Sequence, residues 1–255
     1  MIPADFKDFL EEKYREYNQP SFIAADPICI PHRFTATEDI EIAGLLASLI
    51  AWGNRKAILK AAGRLMDIMG GAPYDFVMSA DAHALERLND FVYRTFQGPD
   101  GLAIVMGLRR IYRDHGGLEA VMALPADATD TSAGILGLRK LMLDSPDFPA
   151  RTQKHIANPA KGSSAKRLNM FLRWMVRKDS RGVDFGIWNN MRMSQLICPL
   201  DVHTGTVGRK LGLLERKQND WKAALELTGK LREFDAEDPV KYDFSLFGLG
   251  IYEKF

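Results

Sequence analysis

The sequence has few cysteines, no long apolar run and almost no strand-like alternation. Of its 255 residues only two are cysteines, Cys29 and Cys198, which excludes a disulfide framework and a four-cysteine iron–sulfur cluster. No apolar run reaches the roughly 18 residues that a membrane-spanning helix needs. The first residues lack a basic stretch followed by an apolar one, so we expect no secretory signal and a cytoplasmic protein with free thiols.

Helical periodicity is present along nearly the whole chain. Apolar residues recur at i, i+3, i+4, i+7 and i+8 from Ile42 to Ile50, which predicts a helix with one buried stripe. Asn54 is the expected N-cap of the next helix, and Ser163 or Ser164 that of a helix containing Lys166. Further helices fit residues 99–114, 131–144, 203–211, 219–234 and 239–250. The fold class is therefore all-α, with a long unperiodic stretch at residues 178–200.

Positive charge is concentrated in one part of the chain. Net charge is +1, yet residues 151–181 carry +8 (nine basic residues and one acid), so the remainder sums to −7. A basic face on a mildly acidic body is typical of polyanion binding, and a solvated helix face is the alternative. The nine basic residues are Arg151, Lys154, Lys161, Lys166, Arg167, Arg173, Arg177, Lys178 and Arg181.

One lysine and one aspartate, 35 residues apart, have the residue types and settings of a catalytic pair. Lys166 follows a predicted tight turn at the start of an amphipathic helix, and Asp201 follows Pro199 at the start of another. An amine nucleophile beside a buried carboxylate can break a C–N glycosidic bond. This pair therefore indicates an enzyme that removes a base from nucleic acid.

Four segments, in order, resemble the helix–hairpin–helix DNA glycosylase superfamily. They are residues 44–55, 69–73, 162–166 and 199–213, and the most specific is Pro199-Leu200-Asp201-Val202-His203. The core from about residue 38 to 251 looks closest to an uncharacterised bacterial branch, with some likeness to the archaeal 8-oxoguanine glycosylases. Two features depart from the pattern: Ser164 replaces the second hairpin glycine, and the gap between Lys166 and Asp201 is longer than in most members.

The resemblance implies a two-lobed helical fold of the glycosylase type. Residues 53–190 would form a central lobe that carries Lys166. Residues 1–52 and 191–255 would form a second lobe that delivers Asp201. The active site would lie in the cleft between these lobes. The family's optional iron–sulfur cluster is absent, so we expect no cofactor.

The resemblance also implies a role for each residue of the pair. Lys166 would attack C1′ of the sugar and form a Schiff base, which requires a neutral amine, whereas an ordinary lysine is almost fully protonated at pH 7. Burial beside cations such as Arg167 or Arg173 would favour the neutral form. Asp201 would stabilise the oxocarbenium-like charge. The alternatives are that Lys166 only contacts a phosphate and that Asp201 only caps a helix.

The other expected site residues follow the same resemblance. DNA contacts would come from Gly162, Ser163, Ser164, Arg167, Arg173, His203 and Arg209. A wedge that fills the gap left by a flipped base would come from Trp52, Asn54 and Arg55, unless Trp52 belongs to the core and Arg55 is solvated. The five histidines show no metal-ligand spacing with one another, so we expect no metal.

Three functions remain open from the sequence. The first is a base-excision-repair DNA glycosylase with AP-lyase activity on an oxidised purine such as 8-oxoguanine, a monomer whose partner is damaged duplex DNA near the bacterial nucleoid. The second is a non-catalytic DNA-binding or lesion-sensing protein. The third is an RNA-directed or nucleoside-processing enzyme. Fold alone does not choose among them.

Overall fold

The computed structural model describes residues 4–145 and 148–255, and in these ranges the protein is mostly α-helical. Two strands of two residues each, β1 (Val92–Tyr93) and β2 (Phe96–Gln97), form an antiparallel hairpin. The expected all-α class is confirmed. In the described ranges, no helix has both the length and the apolar character to cross a membrane.

The α-helices differ widely in length, from four residues to seventeen. In chain order they are α1 (Ala4–Tyr17), α2 (Pro20–Ile23), α3 (Thr37–Leu49), α4 (Arg55–Ile68), α5 (Pro73–Ser79), α6 (Ala82–Glu86), α7 (Gly98–Asp114), α8 (Leu118–Val121), α9 (Ser132–Leu143), α10 (Lys166–Val176), α11 (Val202–Lys210), α12 (Trp221–Phe234) and α13 (Tyr242–Ile251). Short 3₁₀ turns connect several of them. Residues 178–200 contain no α-helix, as their lack of periodicity predicts.

The chain divides into two compact units. Unit 1 contains the chain up to Ala24, Ala126–Ser132 and Asn158–Phe255, whereas unit 2 contains Ala25–Pro125 and Ala133–Ala157. These boundaries differ from the expected division at residues 53 and 190. The physical reason is that α10 pairs with the C-terminal helices, since Arg173 of α10 is ion-paired to Asp243 of α13. Lys166 and Asp201 consequently lie in the same unit.

Unit 1 is built around α13. Helix α13 packs against both α1 and α11, and the amphipathic face of α12 closes the same core. Each fully buried Leu, Ile or Val side chain contributes about 1.5–3 kcal/mol to stability. The core residues are Leu10, Ile197, Cys198, Leu200, Val207, Leu213, Leu214, Ala223, Ala224, Leu227, Leu231, Phe234, Tyr242, Leu246 and Leu249.

Unit 2 is built around α3, which packs against α4 and α5. The expectation of a single buried stripe on α3 is wrong, because every residue from Ile40 to Leu49 is buried, including the carboxylate of Glu41. Glu41 accepts a hydrogen bond from the Tyr112 hydroxyl at 2.5 Å, which satisfies a buried charge. The expected cap of α4 is confirmed, since Asn54 Oδ1 accepts a hydrogen bond from the Ala57 amide at 3.2 Å.

Candidate functional site

Lys166 is the first residue of α10. Gly162 closes the preceding 3₁₀ turn in the left-handed conformation (φ 85°), and Ala165, at φ 50°, is the N-cap. The expectation that Ser163 or Ser164 caps this helix is wrong. Ser163 Oγ accepts a hydrogen bond from the Ala165 amide (3.2 Å), one step before the helix begins. Ala165 has no side chain that could accept a hydrogen bond from the first-turn amides of α10.

The turn at residues 162–165 is tied to the rest of unit 1. Ser164 Oγ donates a hydrogen bond to the Leu200 carbonyl (3.4 Å), and the Trp221 amide donates to the Gly162 carbonyl (3.0 Å). Asn169 of α10 donates to the Ser164 carbonyl at 3.1 Å. A 3₁₀ turn, Pro159–Lys161, precedes the segment, so an α-helix flanks it only on its C-terminal side.

Asp201 begins α11. Its Oδ1 accepts a hydrogen bond from the Thr204 amide (2.9 Å), which confirms that it is the N-cap. The four residues before it, 197–200, are buried and hold the chain in the unit 1 core. A carboxylate at this helix end is stabilised by the amides and by the helix dipole. Its second oxygen, Oδ2, faces the side chain of Lys166.

Lys166 and Asp201 form an ion pair. Lys166 Nζ lies 3.6 Å from Asp201 Oδ2, and the two side chains are 27% and 21% exposed. Both are therefore shielded from bulk water yet still accessible to a ligand. The structure brings together, within unit 1, the two residues that the sequence selected as a pair.

Arg173 is the clearest departure from the expected site. Its side chain is only 4% exposed, and its guanidinium pairs with Asp184 (Nε to Oδ1, 3.2 Å) and with Asp243. It also lies 4.3 Å from the ring centroid of Phe244. The expectation that Arg173 contacts a DNA phosphate disagrees with this burial, because the guanidinium is enclosed by carboxylates. Arg173 is a structural cation that stands two turns along α10 from Lys166.

Asp243 is a buried acid that the sequence analysis did not single out. It lies on the apolar helix α13, is 5% exposed, and its Oδ1 is 3.8 Å from the Cys198 thiol. Burial raises the pKa of the Asp243 carboxyl to about 6. The charge of Arg173 and, to a smaller extent, that of Lys166 lower this pKa, whereas the charge of Asp201 raises it. Burial and the charge of Asp243 also raise the pKa of Cys198, which therefore stays a thiol. A single acid in an otherwise apolar helix was the available sequence signal.

The remaining basic residues of the 151–181 stretch do not form one continuous face. Arg177 is fully buried and pairs with Asp179, Asp184 and Asp238. Burial alone would lower its pKa, but the charges of Asp184 and Asp238 raise it above the ordinary value. In unit 2, Arg151 pairs with the buried Asp100 at 3.1 Å. The count of basic residues overstated the exposed charge because their acidic partners lie elsewhere in the sequence.

Other expected DNA contacts have differing environments. Arg209 is held by the loop after α11, because its Nε donates to the Arg216 carbonyl (2.8 Å) and its Nη2 to Asn219 Oδ1 (2.7 Å). His203 is exposed in the first turn of α11. Arg167 is partly buried beside Lys166, and burial lowers its pKa to about 10. The Arg209 guanidinium therefore donates hydrogen bonds within the protein, including to backbone carbonyls.

The expected wedge residues lie in unit 2. Trp52 is half-buried, and its ring stacks against His155 and meets Tyr93 edge-on, with centroid distances of 5.7 and 5.5 Å. The Tyr93 hydroxyl donates to the Trp52 carbonyl at 2.6 Å. Asn54 is exposed, and its side chain is used as the cap of α4. Trp52 is thus held by two aromatic neighbours and remains partly exposed to solvent.

Within the residues that the structure describes, no three His, Cys, Asp or Glu side chains converge as a metal site would require. The two groups that meet at the pair are an amine and a carboxylate. An amine can act as a nucleophile once it is neutral, and a carboxylate can stabilise positive charge that develops on a ligand.

Comparison with known proteins assigns a family. Residues 26–252 match the family DUF2400, described as a protein of unknown function, and the chain belongs to this family. The match includes both Lys166 and Asp201. No curated protein and no solved structure matches the chain.

Proposed function

We propose that the protein is a DNA N-glycosylase with AP-lyase activity that acts in base excision repair. The observation that carries the proposal is the 3.6 Å contact between Lys166 Nζ and Asp201 Oδ2. It joins a lysine at one helix start to a carboxylate at another, with both side chains partly accessible. The resemblance of the surrounding segments to helix–hairpin–helix glycosylases supports the same reaction class.

The proposed reaction uses Lys166 as the nucleophile. The neutral amine attacks C1′ with its lone pair, the C1′–N bond breaks, and the base leaves with the bonding electrons and takes up a proton. The amine then loses a proton, the C1′–O4′ bond breaks, O4′ takes up a proton, and a Schiff base forms between Lys166 and C1′. Abstraction of a C2′ proton then expels the 3′ phosphate by β-elimination, and water releases Lys166 from the product.

Asp201 supports the two charged stages of this sequence. Its Oδ2 faces the amine, and its Oδ1 is fixed by the Thr204 amide, so the carboxylate cannot rotate freely. Positive charge that develops at C1′ near Lys166 is stabilised by a carboxylate held at that distance. The carboxylate also favours the iminium form of the Schiff base.

Substrate recognition would combine phosphate contacts with base flipping. The N-terminal end of α10, with Lys161 exposed before it and Arg167 after Lys166, suits a DNA phosphate. A base in a duplex is reached only by flipping the nucleotide out, which costs a few kcal/mol. We propose an oxidised purine such as 8-oxoguanine in duplex DNA as the substrate, on the likeness to the archaeal 8-oxoguanine glycosylases.

Borohydride trapping tests this proposal. The protein is incubated with an 8-oxoguanine duplex or an abasic-site duplex in borohydride, and adducts are resolved on a denaturing gel. We expect an adduct with wild type and with Lys161→Gln, a charge-matched control at an exposed lysine of the same segment. We expect none with Lys166→Gln, and peptide mass spectrometry should locate the modification on Lys166.

Other outcomes have defined meanings. Strand cleavage only after alkali, without an adduct, would indicate a monofunctional glycosylase that depends on Asp201. An adduct that persists in Lys166→Gln would refute the assigned nucleophile. Absence of both signals across a panel of oxidised, alkylated and deaminated bases would refute the enzyme.

A non-catalytic DNA-binding protein is the second candidate. It is favoured by one observation, namely that capping of α11 and the ion pair with Lys166 already give Asp201 a structural role. This candidate predicts salt-dependent duplex binding without product. It also predicts that Asp201→Asn changes stability and leaves DNA affinity unchanged.

A further inference from the structure

Asn169 is a buried asparagine near the start of α10. It is only 1% exposed, although asparagine is unfavourable in a helix interior and usually lies at the protein surface. Its backbone amide makes the helical hydrogen bond to the Ala165 carbonyl (2.9 Å), so the helix does not need the side chain. A buried side-chain amide requires a donor for its oxygen and an acceptor for its nitrogen.

The side chain of Asn169 connects two segments that are distant in the sequence. Its Oδ1 accepts a hydrogen bond from the Thr131 hydroxyl at 2.7 Å, and its Nδ2 donates one to the Ser164 carbonyl at 3.1 Å. Thr131 is fully buried and lies 38 residues before Asn169. The hydroxyl fixes the orientation of the amide, because a rotated amide would place Oδ1 against the Ser164 carbonyl and leave two acceptors facing each other.

The Ser164 carbonyl belongs to the turn that precedes Lys166. Ala165 has a φ of 50°, a left-handed conformation that alanine rarely adopts and that the surrounding structure must hold. The hydrogen bonds within α10 begin with the carbonyl of Ala165, its N-cap, so the Ser164 carbonyl lies outside that series. The side chain of Asn169 supplies the donor that the helix does not give it.

Ser164 also contacts the segment that carries the carboxylate of the pair. Its Oγ donates a hydrogen bond to the Leu200 carbonyl at 3.4 Å, and Leu200 immediately precedes Asp201. Ser164 is thus two residues from Lys166 along the chain and is hydrogen-bonded to the residue before Asp201. The position of Ser164 therefore affects the separation between the amine and the carboxylate.

We propose that Asn169, oriented by Thr131, is a positioning residue for Lys166. It holds the turn at residues 162–165 and so keeps the amine against Asp201. Loss of the Thr131 hydroxyl removes the preferred orientation of the amide, and the turn relaxes towards the conformations that alanine usually adopts. A displacement of about 1 Å at a reacting group can slow a reaction about 100-fold. The catalytic consequence rests on the proposed function, whereas the hold on the turn does not.

Amide hydrogen exchange, followed by NMR, tests the hold on the turn without DNA. Thr131→Val keeps the shape of the side chain and removes the hydroxyl, and Thr131→Ser restores a hydroxyl. Thr152→Val is the matched control, because the Thr152 hydroxyl of unit 2 is equally buried and donates to Asp100 over the same 2.7 Å. Circular dichroism and thermal unfolding check that each variant is folded.

The informative amides are those of Ala165 and Asn169, which donate to Ser163 Oγ and to the Ala165 carbonyl. We expect both to exchange about tenfold faster in Thr131→Val, because a buried hydrogen bond that holds the turn is lost. Thr131→Ser should exchange at nearly the wild-type rate, and Thr152→Val should leave both amides unchanged. Unchanged exchange in folded Thr131→Val would overturn the proposal. Equal acceleration in Thr152→Val would also overturn it, since a general loss of stability would then explain the effect.

A second variant tests the other hydrogen bond of the same amide. Asn169→Asp keeps an acceptor for the Thr131 hydroxyl but cannot donate to the Ser164 carbonyl. We expect the Ala165 amide to exchange faster in Asn169→Asp as well, whether or not Thr131→Val folds. An unchanged Ala165 amide in this variant would overturn the role of Asn169.

Single-turnover borohydride trapping separates positioning from DNA binding. With saturating abasic-site duplex, Thr131→Val should form the adduct about tenfold more slowly than wild type, while its duplex affinity changes less than about twofold. Thr131→Ser should restore the rate. Weaker duplex binding with an unchanged rate would overturn the positioning role. Faster exchange in Thr131→Val together with no adduct from wild type would support the hold on the turn and refute the proposed reaction.

Discussion

The side-chain amide of Asn219 donates a hydrogen bond to the backbone carbonyl of Asp201, with Nδ2 and O 3.0 Å apart. Asn219 is itself held by Arg209, which also donates to the Lys217 carbonyl at 2.9 Å. The loop after α11 thus returns to the start of α11 and fixes the backbone that carries the carboxylate. An arginine expected at the DNA surface is used to orient Asp201.

Replacement of this arginine should separate positioning from phosphate binding. Arg209→Gln should lower the free energy of unfolding by about 1–3 kcal/mol, because three hydrogen bonds from a charged group are lost. It should also reduce the trapped adduct and leave the salt dependence of DNA binding unchanged. The control Lys217→Gln retains its backbone carbonyl and should alter stability by less than about 0.5 kcal/mol. A fall in the salt slope of about 0.9 would instead identify Arg209 as a phosphate contact.

The two roles of Asp201 can be separated by replacement with serine. Serine is an N-cap of similar strength without the charge, so Asp201→Ser should change stability by only a few tenths of a kcal/mol, whereas Asp201→Ala should cost about 1 kcal/mol. Both variants should lose the borohydride adduct if the carboxylate is catalytic. Thermal unfolding and trapping are measured on the same samples. An adduct retained in Asp201→Ser would reduce Asp201 to a helix cap.

Arg177 should prove essential for stability and irrelevant to DNA affinity. Its replacement by methionine leaves Asp184 and Asp238 without their shared cation, which should cost about 3–5 kcal/mol in urea unfolding. Lys161→Met, at an exposed position of the same basic stretch, should cost less than about 0.5 kcal/mol. Loss of duplex affinity without loss of stability in Arg177→Met would restore the interpretation of this stretch as a continuous basic face.

The buried Asp243 should make stability depend on pH in an identifiable window. Its pKa is about 6 in the folded protein against 3.8 for an ordinary aspartate, so between these values the folded state binds more protons than the unfolded state. Its contribution is therefore full below about pH 4 and is lost as pH rises through 6. The stability difference between wild type and Asp243→Asn should fall by about 3 kcal/mol over this range.

Other carboxyls act in the opposite direction, which is why the comparison with the variant is needed. In Asp179 the hydrogen bonds of its neighbours outweigh burial and lower the pKa to about 2, and in Asp220 the side chain of Arg216 has the same effect. Their stabilisation is present at neutral pH and is lost as pH falls below about 4. A wild-type-minus-variant difference that stays constant from pH 4 to 7 would contradict the assignment to Asp243.

Periodicity predicted helix positions well where a segment has one apolar face. The helix expected at 131–144 is α9, Ser132–Leu143, and that expected at 219–234 is α12, Trp221–Phe234. The start of α10 could not be predicted, because Ala165 adopts a left-handed conformation that its residue type does not favour. The full burial of α3 could not be predicted either, because it depends on the helices that pack around it.

The site shows the same division between local and long-range information. Lys166 and Asp201 were recognisable from their settings at two helix starts, and Asp201 as an N-cap follows from its own residue type. The inward orientation of Arg173 and Arg177 was not recognisable, because their carboxylate partners include Asp238 and Asp243, more than sixty residues away in the chain.

The all-α class, most helix positions and the choice of the lysine and the aspartate follow from the order of residues, because period, caps and turns are local properties. The contact between the two side chains and the burial of Arg173 and Arg177 do not. These depend on which distant acids pack beside which arginines, because a charge that is buried without its partner is strongly destabilising. Folding thus buries two arginines from a run of positive charge, Arg173 and Arg177, in ion pairs with acids from other parts of the chain.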